Sequence, residues 1–109
     1  MLLVNQTEAA QLGAEVIGAV SHVVTTLGSS GADYAGSDGT TLHAGSPAVE
    51  VVDTTGAGDA FAGALSVSWR GGPGTAVPFA CTAGALATTR RGASTSSPTR
   101  TEIEAAIPG

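Results

Sequence analysis

The chain has 109 residues, 42% of them hydrophobic but only 4% aromatic, and a net charge of −5 from nine acids and four arginines. That length suits one small domain or part of a larger one, with an interior built from Ala, Val, Leu and Ile. The acidic balance argues against nucleic acid or an anionic membrane as partner, and the lone Cys81 excludes an internal disulfide and fits a reducing cytoplasm. No stretch is apolar for long enough to span a bilayer, and no basic segment followed by an apolar one marks a signal peptide.

Leu2 to Val4 read as a short buried strand that follows Met1 at once, as expected of a chain that begins late in its domain. Asn5-Gln6-Thr7-Glu8 turn it into a helix, with Thr7 as the expected N-cap. Gly13 interrupts that helix, and Ala14 to Val20 form a second, weaker one. His22 to Leu27 are a strand, and Gly28 to Gly31 a loop. Ala32–Ala35 and Thr40–Ala44 form a hairpin around Ser37-Asp38-Gly39. Val49 to Val52 are expected as a strand, and Ala60 to Trp69 as a helix stopped by Gly71-Gly72-Pro73-Gly74. Thr75 to Arg90 read as a long Ala-rich helix with Pro78 in its first turn and Gly92 as its cap. A Ser/Thr loop then leads to a short helix at Thr101–Glu104, capped by Thr101 or Thr99. Strands alternating with helices give an α/β fold with a mainly parallel sheet flanked by helices.

The chemistry concentrates at Asp53-Thr54-Thr55-Gly56-Ala57-Gly58-Asp59. A strand, a glycine turn and a helix start in succession make an anion cradle: the first helical N–H groups lack partners, and the dipole adds positive charge. Gly56, Ala57 and Gly58 let a phosphate oxygen approach the backbone. Asp59 is a carboxylate beside that cradle, which suits removal of a proton from a group that attacks phosphate. The plainer reading is a strand–helix turn whose Asp stabilises a helix N-terminus. Two further strings have plain readings as well. Asn5 and Glu8 make a helix start, and Thr26-Leu27-Gly28-Ser29-Ser30-Gly31 a strand followed by a flexible turn. His22 and His43 are too isolated to suggest a metal, and Tyr34, Trp69 and Phe79 read as packing residues.

The three strings occur in the order N-x-x-E, T-L-G-x-x-G, D-T-T-G-A-G-D. In that order they resemble the ribokinase family, the PfkB-type carbohydrate kinases. The resemblance implies a partial ribokinase-like three-layer α/β fold, residues 1–109 being the C-terminal nucleotide-binding part. The N-terminal sugar-binding portion and the lid have no counterpart here. It implies ATP as donor, with Gly56, Ala57 and Gly58 as anion hole and Asp59 as catalytic base, contacting both nucleotide and sugar. Asn5, Thr26, Leu27, Gly28, Ser29, Ser30, Gly31, Gly58 and Asp59 become nucleotide-binding candidates, and Cys81 a position touching adenine. Glu8 would hold Mg²⁺ through water. Asp53, Thr55, Ala87, Arg90, Gly92 and Ser96 would surround K⁺, against a plainer reading of 87–96 as a capped helix end and solvated loop. Ribose is the first substrate expected, from the tail Arg90-Arg91-Gly92-Ala93 and Ser96; other sugars, sugar phosphates and nucleosides stay open. Full-length members of the family are often homodimers. The alternative is a truncated, non-catalytic remnant that binds nucleotide or phosphate.

Overall fold

The computed structural model describes residues 1–89 and 98–107. Four strands, β1 (Leu2–Asn5), β2 (His22–Thr26), β3 (Ala32–Gly36) and β4 (Thr41–Ala44), lie in that order in one sheet. Among the described residues, four α-helices accompany them: α1 (Gln6–Gly18), α2 (Ala57–Ser68), α3 (Pro73–Ala87) and α4 (Arg100–Ala106). β1 and β2 are parallel, joined by the crossover α1, whereas β2–β3 and β3–β4 are antiparallel. The expected mainly parallel sheet is therefore mixed among the described residues. Only one helix separates consecutive strands, and the short links after β2 and β3 reverse the chain.

Side-chain alternation assigns the two faces. Leu3, Val24, Tyr34 and Leu42 stand in one cross-strand row. With Ala32 and Ala44 they pack into a core with Phe61 and Leu65 of α2 and Ala76, Val77, Ala80 and Cys81 of α3. Val4 and Val23 point to the opposite face and are buried. On that face Ile17 of α1 borders a groove with Val23, Thr25, Asp33 and His43. α3 meets α2 at Gly84, where even a Cβ would make ordinary contact, 3.4 Å from the Ala57 carbonyl oxygen.

Several boundaries differ from the sequence expectation, each for a local reason. Asn5, not Thr7, caps α1. Its side chain accepts from the Glu8 N–H while the Glu8 carboxylate accepts from the Asn5 N–H. Gly13 kinks the helix with φ 83°, a left-handed conformation that suits glycine. Thr99 caps α4 in the same reciprocal way with Glu102. α3 starts at Pro73, so Pro78 lies inside the helix rather than in its first turn. The helix ends at Ala87, short of Arg90. Val49–Val52 is not a strand: the N–H groups of Val52 and Asp53 both donate to the carbonyl of Thr88, at 2.7 and 2.9 Å, instead of joining the sheet. Among the described residues, no helix is long and apolar enough to cross a membrane.

Candidate functional site

α2 begins three residues before the expected Ala60 because Gly56 adopts φ 82°, ψ −2° and turns the chain directly into the helix. Ala57, Gly58 and Asp59 are thus its first three residues. Ala57 N–H donates to the Thr54 carbonyl at 3.2 Å, and Ala60 N–H to the Gly56 carbonyl at 2.9 Å. No side chain caps the helix. Of the expected anion hole, the Ala57 N–H is therefore already engaged, whereas those of Gly56 and Gly58, with Asp59 beside them, have no hydrogen-bond partner among the described residues. Three free donors at the positive end of a twelve-residue helix are what an anion needs. Upstream, Asp53 accepts from the Thr55 N–H at 2.8 Å, a local turn that shapes the approach to the helix.

A second loop faces this helix start. After β2 the chain makes a single 3-10 turn at Gly28–Ser30, closed by Gly31 N–H to the Gly28 carbonyl and by Leu27 N–H to the Gly31 carbonyl at 2.8 Å. Gly28 and Gly31 have φ of 61° and 102°, a region that favours glycine, most strongly at Gly31. The Thr26 hydroxyl donates to the Val4 carbonyl at 3.4 Å, tying the loop's root to β1.

Between the two loops lies a cavity of about 670 Å³. Thr26, Gly28, Ser29 and Gly31 line it on one side, Thr54, Ala57 and Gly58 on another. Ser46 to Val49 and Val51 form a third wall, and Phe61, Cys81, Gly84, Ala85 and Thr88 close it from α2 and α3. Small-molecule sites commonly have this size and a mostly apolar lining with a few polar groups. Burial raises the Cys81 thiol from the ordinary 9.0 to about 11, opposed by a hydrogen bond with the Ser46 side chain. The thiol also donates to the Ala44 carbonyl at 3.7 Å.

The remaining candidates that are described do not line this cavity. Leu27 and Ser30 belong to the loop but do not line the cavity. Gly56 and Asp59 border a second groove of about 360 Å³, between α2 and α4, with Arg100 and Ile103. Asp59 therefore stands at the helix start with the cavity on one side and this groove on the other. Asn5 and Glu8 are exposed and bonded to each other; Glu8 Oε1 is engaged at 3.0 Å by the Asn5 N–H. A carboxylate that stays exposed at a helix start fits a water-mediated Mg²⁺ contact. Asp53 is held at the end of α3 by its bond to Thr88, next to Ala87, so part of the expected K⁺ set is contiguous. Arg90, Gly92 and Ser96 lie outside the described residues. Among the described residues, no three His, Cys, Asp or Glu side chains converge on a metal-sized site.

The Ser46–Val51 wall was missed by sequence reasoning, which takes Val49–Val52 as a strand. Gly45, Ser46 and Pro47 before it were the available signal, since they break a strand and open a loop.

The pfkB family carbohydrate kinase description matches residues 2–100. A ribokinase of Schizosaccharomyces pombe (strain 972 / ATCC 24843) is 38% identical over 84 residues, which are 75% of this chain and 26% of that protein. An Arabidopsis thaliana ribokinase, solved with ribose and ATP, superposes with a TM-score of 0.83 at 28% identity, over 98% of this chain and 41% of that one. A Vibrio cholerae O395 fructokinase double mutant, solved with fructose, ADP and potassium ion, gives 0.76 at 34% identity, over 94% and 35%. The chain spans 20 to 28% of the length of the curated relatives it matches.

Proposed function

The chain belongs to the pfkB family of carbohydrate kinases, and on that premise we propose that it is the C-terminal, nucleotide-binding part of an ATP-dependent sugar kinase of the cytoplasm. The observation that carries this reading is the convergence of the Thr26–Gly31 loop and the α2 start on one cavity. The base and ribose of ATP occupy the cavity, and the terminal phosphate meets the free N–H groups of Gly56, Gly58 and Asp59. The Asp59 carboxylate takes the proton of the acceptor hydroxyl. That oxygen bonds to the γ-phosphorus, the bond to the β,γ-bridging oxygen breaks, and ADP leaves. Charge on the transferred oxygens is met by backbone donors that are already oriented, an effect commonly worth about 10²–10³ in rate per donor. Mg²⁺, when bound, neutralises phosphate charge; Glu8 would hold it through water, with Asn5 toward the phosphates. Asp53, Thr55 and Ala87, with Arg90, Gly92 and Ser96, would hold K⁺. Ribose is the acceptor proposed first, as it is bound in the Arabidopsis relative, and fructose second.

Asp59→Asn tests the reading. ATP binding, measured by calorimetry, should stay within about threefold, while sugar-dependent ADP release falls by roughly 10²–10⁴. Near-normal turnover in that variant would remove Asp59 as the base. A second reading, a nucleotide- or phosphate-binding chain without turnover, draws on the same cavity and free donors, which serve binding alone equally well. Heat from ATP and Mg²⁺, with no ADP release from any sugar, would identify that case.

A further inference from the structure

We infer that His22, Tyr34 and Trp69 form a proton-operated latch between the sheet and the C-terminal end of α2: protonating His22 reverses its hydrogen bond to Tyr34 and sets a cation against the Trp69 ring. The three rings come from β2, β3 and the 3-10 turn Trp69–Gly71 that closes α2. His22 Nδ1 lies 2.7 Å from the Tyr34 hydroxyl, and the two rings stack at 6.0 Å. The His22 and Trp69 rings meet edge to face at 5.4 Å, and Tyr34 and Trp69 are 6.1 Å apart. Tyr34 is buried, Trp69 half-buried and His22 exposed, so the latch runs from the core to water. Imidazole is the side chain that changes charge between about pH 5 and 8. α2 presents its free donors at the opposite end, so the latch holds the helix that carries the candidate site.

Hydrogen-bond chemistry dictates the reversal. Neutral imidazole has one N–H and one acceptor nitrogen, whereas the cation has two N–H groups and no acceptor. Among the described residues the Tyr34 hydroxyl has no hydrogen-bond partner but His22. Its proton is satisfied in the neutral pair when Tyr34 donates to Nδ1 and the Nε2 proton faces water. In the cation Nδ1–H donates to the hydroxyl oxygen, and the tyrosine proton turns to a new acceptor. Asp38 is placed for it: the Tyr34 hydroxyl and Asp38 Oδ1 would each stand 2.8 Å from a Cβ on Gly36, so they share one side of the β3–β4 turn. The Thr40 bonds lead, and charge on His22 comes last, among the influences that hold the Asp38 carboxyl low. The other charged groups around the latch are Arg70, next to Trp69, and the Met1 amine, which the β1–β2 register sets alongside His22. The end of α1 brings only Gly18, Ala19 and Val20. A cation within about 6 Å of an indole centroid is attracted by the ring.

The test reads the one tryptophan of the chain. Protonated imidazole quenches indole fluorescence on contact, so Trp69 emission should drop by at least about a fifth between pH 8 and pH 5, in a one-proton step. His22→Gln should abolish the step. His43→Gln, which removes the only other imidazole, should leave it. Flat emission in the parent chain, a step that survives in His22→Gln, or a step lost in His43→Gln overturns the latch. Imidazole ¹⁵N shifts of the parent chain test the reversal itself. Nδ1 of His22 should carry no proton at pH 8, and both ring nitrogens should carry one at pH 5. A proton on Nδ1 at pH 8 overturns the reversal.

Discussion

The Cα of Gly31 lies so close to Ala44 that a Cβ on it would stand 1.9 Å from the Ala44 carbonyl oxygen. That oxygen also accepts from the Cys81 thiol, so the loop, β4 and α3 meet at one carbonyl beside the cavity. Gly31 also has φ 102°, outside the comfortable range of any L-residue. Gly31→Ala should cost at least about 3 kcal/mol in urea unfolding and lower nucleotide affinity. Gly28→Ala is the control. Its φ is 61°, but nothing lies within 4 Å of a Cβ there. It should cost only about 1–2 kcal/mol. Equal losses in the two variants would mean that the Ala44 contact does not matter.

Asn5 and Glu8 combine a structural and a proposed metal role, which two substitutions separate. Asn5 Oδ1 accepts from the Glu8 N–H at 2.8 Å, and the Glu8 carboxylate returns the bond. Glu8→Gln keeps an acceptor at that position and should leave thermal stability nearly unchanged. Glu8→Ala loses one half of the capping box and should cost about 0.5–1 kcal/mol. If Glu8 holds Mg²⁺ through water, both variants should lose Mg²⁺-dependent ATP affinity alike. Retained Mg²⁺ dependence in Glu8→Gln would leave the residue a cap alone.

Local patterns made much of the fold legible, and tertiary contacts account for what was not. The Gly13 break, the hairpin around Asp38-Gly39 and the strand before the Thr26–Gly31 loop follow from turn chemistry and periodicity. The sequence points to Ala60 as the start of α2 because the two glycines flanking Ala57 have poor helix propensity, whereas a left-handed Gly56 at the N-cap lets Ala57 and Gly58 open the first turn. Pro73 obeyed the N1 preference that was assigned to Pro78. Val49–Val52 has strand composition, yet its backbone is drawn to the Thr88 carbonyl, a partner 36 residues away that no local pattern reveals. The cavity was legible as two loops and illegible as a volume, because its third wall comes from that same segment.

The β3–β4 turn carries a small acid sensitivity. Asp38 accepts from the Thr40 N–H at 2.9 Å, and this bond holds its carboxyl below the usual 3.8. A lowered folded value means that the bond stabilises above about pH 4 and is lost as pH falls further. Asp38→Asn keeps an oxygen acceptor but removes the titration. Between pH 5 and 2 the local protection of the Thr40 amide should fall in the parent chain and stay flat in the variant, as read by hydrogen exchange. The same acid dependence in both would assign the effect to another group.

Cys81 offers a direct probe of the cavity because it is the one cysteine in the chain and is only 2% exposed. Burial holds its thiol at about 11 instead of 9.0. At pH 8 the thiolate fraction is then about 100-fold lower than for an ordinary cysteine, so alkylation by iodoacetamide should be slower by at least that factor. The rate should climb about tenfold per pH unit up to pH 10, and a bound nucleotide should slow it further by covering the cavity. The same shift sets a stability window. The folded state favours the neutral thiol, so its stabilisation is complete below pH 9.0 and declines as pH rises toward about 11. Cys81→Ala should remove that alkaline decline from urea titrations measured at pH 8 and pH 11. Alkylation at pH 8 within threefold of a free thiol would show that the thiol is not held neutral by burial, and protection unchanged by saturating ATP would show that Cys81 does not border the nucleotide.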